Sequence, residues 1–151
     1  MAAMSEQNPI RIFASHGWER DDDYARLFEY LESTSNFFYR AVSEPDGLQG
    51  EGVAPKRTAI LEQMKNAEVL VAFPGLWERH RDWANFILQA AKAHDLPVIV
   101  LEHFGPQDLD PALKAQADEV VSWNSREISD ALRREARHED TTRMDVIEFD
   151  L

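Results

Sequence analysis

The stretch Glu68–Phe73, Glu-Val-Leu-Val-Ala-Phe halted by Pro74-Gly75, constrains the fold of this chain more than any other. A strand with one wet face alternates apolar and polar residues, whereas a strand covered on both faces reads as an almost unbroken apolar run. Such strands belong to parallel sheets with helices packed on either side. The apolar run Val98–Leu101 marks a further strand over Pro97–Glu102. Ile10–Ala14, Phe37–Val42 and Glu119–Ser122 add three more, each apolar, aromatic or β-branched.

Helical periodicity fills the intervals. Asp22–Glu32 carries Tyr24, Leu27, Phe28 and Leu31 on one stripe, with acidic residues in its first turn, where the helix dipole favours them. Lys56–Ala67 follows Pro55, and Asp82–His94 aligns Trp83, Phe86, Ile87 and Ala90. A short helix is expected over Pro111–Gln116, and a last one over Asn124–Ala136, where Asn124 and Glu127 have the spacing of a reciprocal capping box. Ser43–Pro55 reads as a long loop, and Trp77-Glu78-Arg79-His80-Arg81 as a polar connection. Five strands alternating with helices predict an α/β three-layer sandwich around a five-stranded parallel sheet, flavodoxin-like, in the order 2-1-3-4-5.

Composition sets the outer limits. With 151 residues, 44% of them hydrophobic, the chain suits one domain, since domains commonly hold about 100–150 residues. We expect a flexible N-terminus over 1–9, the domain over 10–136 and a charged C-terminal tail over 137–151, whose Val146–Phe149 either docks as a strand or stays disordered. Cysteine is absent, which removes disulfides, thiolate zinc sites and cysteine nucleophiles. A net charge of −12 opposes phosphate-backbone binding, so nucleic acid is not an expected partner. The start of the chain lacks signal-peptide character, and its apolar runs are far shorter than the roughly 20 residues that span a bilayer. A cytoplasmic protein with no membrane contact is expected.

In an open α/β sheet, ligands bind beyond the carboxyl ends of the strands, where the strand order reverses. The expected order places that point between the first and third strands. Ser15-His16-Gly17-Trp18 should then face Pro74–His80 across one crevice, with Ser43–Pro55 as a third wall. Several chemistries are missing from it. The turn after the first strand is followed by Asp21-Asp22-Asp23, which opposes a flavin phosphate there. The third strand ends in Phe73-Pro74-Gly75 instead of a phosphoacceptor aspartate, and neither a Walker loop nor G-x-G-x-x-G occurs. Ser15 and His16, adjacent in sequence, do not make a hydrolytic triad. His16, His80, His94, His103 and His138 lie on separate elements, so no metal site is expected.

Phe13-Ala14-Ser15-His16-Gly17-Trp18, the aspartates before Tyr24, Ala72-Phe73-Pro74-Gly75, Trp83, Pro97-Val98-Ile99 and Asp118–Asn124 together resemble the bacterial TIR-like family with a flavodoxin-like fold, which includes the Thoeris antiphage proteins. The resemblance covers approximately Ile10 to Leu132. It implies an enzyme that cleaves the bond between nicotinamide and ribose in NAD, in some members cyclising the product, within antiphage defence or stress signalling. A carboxylate that binds ribose hydroxyls and stabilises an oxocarbenium-like centre is the natural catalyst. In catalytic relatives it is a Glu about one turn after the helical Trp, and here Trp83 is followed at that spacing by Ile87.

Glu78 and Asp82, one helical turn apart, are the substitute catalytic candidates, although Asp82 also suits an N-cap and Glu78 a solvated loop. Ser15, His16, Gly17, Trp18, Pro74, Gly75 and Trp77 are the candidate nucleotide-binding residues. Trp18 and Trp77 either stack a ring or lid the core, and Lys56 and Arg57 either meet a pyrophosphate or occupy a surface turn. No tightly bound cofactor is implied; NAD enters as substrate or ligand. With the catalytic position occupied by Ile87, the alternative is a non-catalytic module that binds another TIR-like domain or an effector protein, or forms a homo-oligomer.

Overall fold

The computed structural model describes residues 3–47 and 52–139. Five strands, β1 (Ile10–Ala14), β2 (Tyr39–Ala41), β3 (Val69–Ala72), β4 (Val98–Leu101) and β5 (Glu119–Val121), form one sheet in the order β2-β1-β3-β4-β5. Every neighbouring pair is parallel, Ala14 standing beside Val71 and Val71 beside Ile99. The chain steps outward from β1 to β2 and returns across β1 to β3, so the strand order reverses between β1 and β3. The expected flavodoxin-like arrangement is the one observed.

The helices are α1 (Asp22–Glu32), α2 (Val53–Met64), α3 (Pro74–Arg79), α4 (Arg81–Ala93), α5 (Pro111–Lys114) and α6 (Ser125–Arg137). Ile12, Ala14, Val69, Val71 and Ile99 pack on one face with Tyr24, Leu27 and Leu31 of α1 and Ile128, Ala131 and Leu132 of α6. Phe13, Leu70, Ala72, Val98 and Val100 fill the other face with Ile60 and Met64 of α2, Leu76 of α3 and Ile87 and Leu88 of α4. All residues of β3 and β4 are therefore buried, one side chain into each layer in turn. Each such Val, Leu or Ile side chain contributes roughly 1.5–3 kcal/mol by leaving water.

Local chemistry shifts several boundaries. Pro74-Gly75, expected to stop a strand before a loop, instead begins a helix. A proline at the first helical position lacks an N–H that would have had no partner there. α2 starts at Val53, three residues before Lys56, so Pro55 lies inside its first turn, and Gly52 precedes it at φ +90°. Asp82 does not cap α4. His80 holds that position and gives no side-chain bond, which leaves Asp82 in the first turn. Asn124 Oδ1 does cap α6, accepting from Glu127 N at 3.0 Å, but the return bond is absent because Glu127 accepts from the Ser122 hydroxyl at 3.0 Å.

The residues before β1 are tied down more than a flexible N-terminus implies. Ser5 and Asn8 form a small antiparallel bridge, and the buried Arg137 guanidinium donates to the carbonyls of Asn8 and Pro9 at 3.2 and 3.0 Å. Among the described residues, no helix is long and apolar enough to cross a membrane. The expectation for Val146–Phe149 falls outside the described residues, as does the part of the third wall over 48–51.

Candidate functional site

The end of β1 is fixed before any ligand is considered. Ser15 N donates to Val71 O at 2.9 Å, which carries the ladder one residue past the strand. His16 then turns inward, 1% exposed, between Phe13, Trp18 and Tyr24. Its Nδ1 accepts from Trp18 N at 3.2 Å, so Nε2 carries the proton and donates to Gln63 Oε1 at 3.0 Å. Burial pushes the His16 pKa down, against the raising influence of the Gln63 bond. A neutral imidazole with both nitrogens engaged pins the corner to α2.

Trp18 follows at φ +68°, a left-handed conformation that is strained for a bulky residue. Its indole N–H is buried without a hydrogen-bond partner. Gly17 keeps the turn close to α3, where a Cβ would lie 3.2 Å from Leu76 Cδ1. Trp83, the helix tryptophan, donates its indole N–H to His16 O at 2.9 Å and so ties α4 to the same corner.

Beyond this corner lies a crevice of about 670 Å³ at the carboxyl ends of the strands, where the order reverses. The turn into α1 supplies Glu19–Asp23 and Arg26, α3 supplies Gly75 and Arg79, and the loop after β4 supplies His103 and Phe104. Two ion pairs line it. Asp21 caps α1 by accepting from Tyr24 N at 2.9 Å and takes Arg79 at 2.6 Å, while Asp23 takes Arg26 at 2.9 Å. The Arg26 guanidinium also lies 3.9 Å over the Phe104 ring. Burial pushes the Asp23 carboxyl above its ordinary range, and the neighbouring Asp21 adds to this against Arg26. A Cβ on Gly75 would stand 2.9 Å from Asp23 Oδ2, so glycine there leaves room for the carboxylate.

A second depression of about 650 Å³ lies at the opposite edge, lined by Glu68, Lys92, Asp118, Glu135 and His138. Its acidic groups serve the fold: Glu68 clamps Arg137, and Glu119 beside it clamps Arg134 at 2.7 Å. Ligands of open α/β sheets bind at the other end.

The candidates read from sequence scatter. Gly75 lines the crevice, and Ser15, His16, Gly17 and Trp18 build the corner behind it. Pro74 is buried as the start of α3. Trp77 is 4% exposed in the apolar layer, its indole donating to Asp110 Oδ2 at 2.9 Å and its ring covered by Arg81. Glu78 and Asp82 do not share a helical face, because the chain breaks at His80 and places them on α3 and α4. Glu78 reaches the crevice rim, with Oε2 3.0 Å from His103 Nε2; Asp82 is exposed outside it. Ile87 is wholly buried in the core. Arg57 lies over the Phe86 ring of α4 and does not line the crevice.

Arg26, Arg79, His103 and Phe104 were not singled out by sequence as site residues, and Asp21 and Asp23 were read as helix-start charge. For Asp21 and Asp23 the available signal was their position in the turn after the first strand. No protein-family model matches the chain, and no curated protein does. Among solved structures, a 3-dehydroquinate dehydratase-like protein from Bifidobacterium longum is similar over 86% of this chain and 96% of that one, at a TM-score of 0.45 and 12% identity.

Proposed function

We propose that this crevice binds the nicotinamide ribosyl end of NAD, or of a related nucleotide, in the manner of a TIR-like domain, and that Asp23 is its catalytic carboxylate. The observation that carries this reading is a largely buried carboxylate at the switch point, lining the crevice and packed against Gly75, where a side chain would displace it. Four carboxylates, Glu19, Asp21, Asp22 and Asp23, face three guanidiniums, Arg20, Arg26 and Arg79, around the crevice. An excess of negative charge suits a cationic ring and a cationic transition state better than it suits a free polyphosphate.

In the proposed reaction the bond between the ring nitrogen and C1′ breaks, and its electron pair neutralises the pyridinium. Positive charge builds on C1′, which Asp23 stabilises while a water oxygen bonds to the same carbon and the water proton leaves to solvent. Arg26 and Arg79 hold the two aspartates apart and orient them.

Release of nicotinamide from NAD by the purified full chain, followed chromatographically, tests the reading. We expect Asp23→Asn to reduce release by about a hundredfold or more, the scale of losing a charge-stabilising group. Release that survives Asp23→Asn and disappears with Asp82→Ala would instead support the pair read from sequence. Because TIR-type activity often depends on assembly, the assay belongs on any oligomer as well as on the monomer.

A second reading has one observation behind it. Ile87 is locked in the core where the helix glutamate of catalytic relatives would stand. On that reading the chain is a non-catalytic interaction module, and light scattering would show a stable homo- or hetero-oligomer without nucleotide binding.

A further inference from the structure

Phe104 is 58% exposed, yet it is held firmly. It stands at the apex of a tight turn in which Gly105 N donates to His103 O at 3.0 Å, and Gly105 itself adopts φ +144°, a conformation glycine tolerates and side chains resist. The Arg26 guanidinium covers the ring at 3.9 Å, and Trp123 meets it edge-on at 6.0 Å between centroids. Trp123 is anchored in turn, stacked on Phe73 and donating to Glu102 O at 2.8 Å. The rest of the ring lines the crevice. An exposed aromatic ring kept rigid at a ligand crevice resembles a stacking platform more than a core residue.

Its neighbour adds a second, independent observation. The His103 side chain is 9% exposed, and Nε2 is buried without an aligned hydrogen-bond partner, because Glu78 Oε2, at 3.0 Å, lies off the bonding direction. So close an approach to a carboxylate is favourable only when Nε2 carries a proton, which makes this nitrogen a donor. The Glu78 carboxylate offsets part of this buried donor's cost without an aligned bond, and an acceptor on a ligand placed along the N–H would offset the rest.

We infer that the His103-Phe104 turn is the ring-recognition element of the crevice: Phe104 stacks a planar heteroaromatic ring carried on ribose, and His103 Nε2 donates to a polar substituent of that ring. The inference rests on the nucleotide reading above and assigns two residues to it. The ring held is a heterocycle bearing an acceptor such as a carboxamide oxygen. Arg26 links the platform to Asp23, so the ring and the bond to be broken lie within one constellation.

Calorimetric titration of the full chain with NAD, and with ribose 5-phosphate as a probe that lacks the ring, tests this. Phe104→Leu keeps apolar bulk but removes the π face, and it should weaken NAD binding about tenfold or more, the scale of a lost base stack. Phe104→Trp should keep NAD affinity near that of the wild type and give an indole whose emission responds to NAD. His103→Leu should weaken NAD several-fold, and none of the three should change ribose 5-phosphate affinity. Unchanged NAD binding in Phe104→Leu, or equal losses for NAD and ribose 5-phosphate, overturns the ring assignment while leaving the nucleotide site in place. A wild-type chain that binds neither probe removes the nucleotide reading and this inference together. Should Phe104→Leu fail to fold, Phe104→Trp decides: retained affinity with an indole silent to NAD overturns the proposal.

Discussion

Gly75 and Asp23 are packed so that only a hydrogen fits between them: a Cβ on Gly75 would lie 2.9 Å from Asp23 Oδ2 and 2.9 Å from an Arg79 terminal nitrogen. Both atoms end movable side chains, so an added methyl displaces the carboxylate and its guanidinium without breaking the backbone. Gly75 also lies within α3, where alanine is favoured over glycine by about 1 kcal/mol. Gly75→Ala should therefore leave the thermal midpoint unchanged or slightly raised while it lowers NAD binding and nicotinamide release. A variant that loses stability and function in parallel would show that Gly75 serves packing alone.

That separation of site from scaffold also decides how much could be read from sequence. The unbroken apolar runs of β3 and β4 announced two-sided burial, and the strand order followed from crossovers long enough to hold helices. α3 was hidden because Pro-Gly breaks most patterns, and only the start of a helix accepts proline without loss. Asp21 and Asp23 were legible as helix-start charge, and Asp21 does cap α1. Nothing local distinguished that role from facing a crevice. Arg79 and Phe104 are distant from them in sequence, and only the placement of β1 beside β3 and β3 beside β4 brings them together.

His16 makes the fold sensitive to acid. Its folded pKa is lowered by burial from 6.5, so below about pH 6.5 the unfolded chain binds a proton that the folded chain refuses. Its contribution to stability is lost as pH falls through that window. Glu135, pushed up to about 7 by burial and by Glu119, acts in the opposite sense, its contribution being lost as pH rises. Comparing wild type with His16→Asn cancels Glu135. Asparagine retains an acceptor for Trp18 N but does not titrate, so the gap in unfolding free energy between the two should shrink from about pH 7.5 to about pH 5.5. A gap independent of pH would mean that His16 titrates alike in the folded and the unfolded chain.

Trp83 is expected to matter through one atom. Its indole nitrogen donates to His16 O at 2.9 Å, and the ring packs against Trp18 and Phe86. Trp83→Phe keeps an aromatic ring but leaves the His16 carbonyl without that donor, and it should cost about 1–2 kcal/mol in denaturant unfolding. A loss below a few tenths would show that water replaces the indole.

At the opposite end of the sheet, Arg137 and Glu68 form a clamp whose pH dependence has the same sign as that of His16 but falls in a more acidic window. Arg137 Nε meets Glu68 Oε1 at 2.6 Å and its terminal nitrogen meets Oε2 at 3.0 Å, with the Arg137 side chain 3% exposed. Burial pushes the Glu68 carboxyl up, but the bonds from Arg137 and from Arg11 N outweigh it and hold the carboxyl below its ordinary 4.5. A depressed carboxylate contributes stability above its unfolded pKa and loses it as pH falls through the folded one. Arg137→Met leaves the half-buried Glu68 carboxylate to Arg11 and releases the carbonyls of Asn8 and Pro9, and it should cost about 3 kcal/mol near neutral pH. That cost should shrink below about pH 4.5 as Glu68 becomes neutral in both proteins. The double variant Glu68→Gln with Arg137→Met should recover part of the loss, because the carboxylate deprived of Arg137 is then gone and the Arg11 guanidinium that also paired with it, 39% exposed, stays in contact with water. A double variant no more stable than Arg137→Met alone would assign the loss to the N-terminal carbonyls rather than to the ion pair.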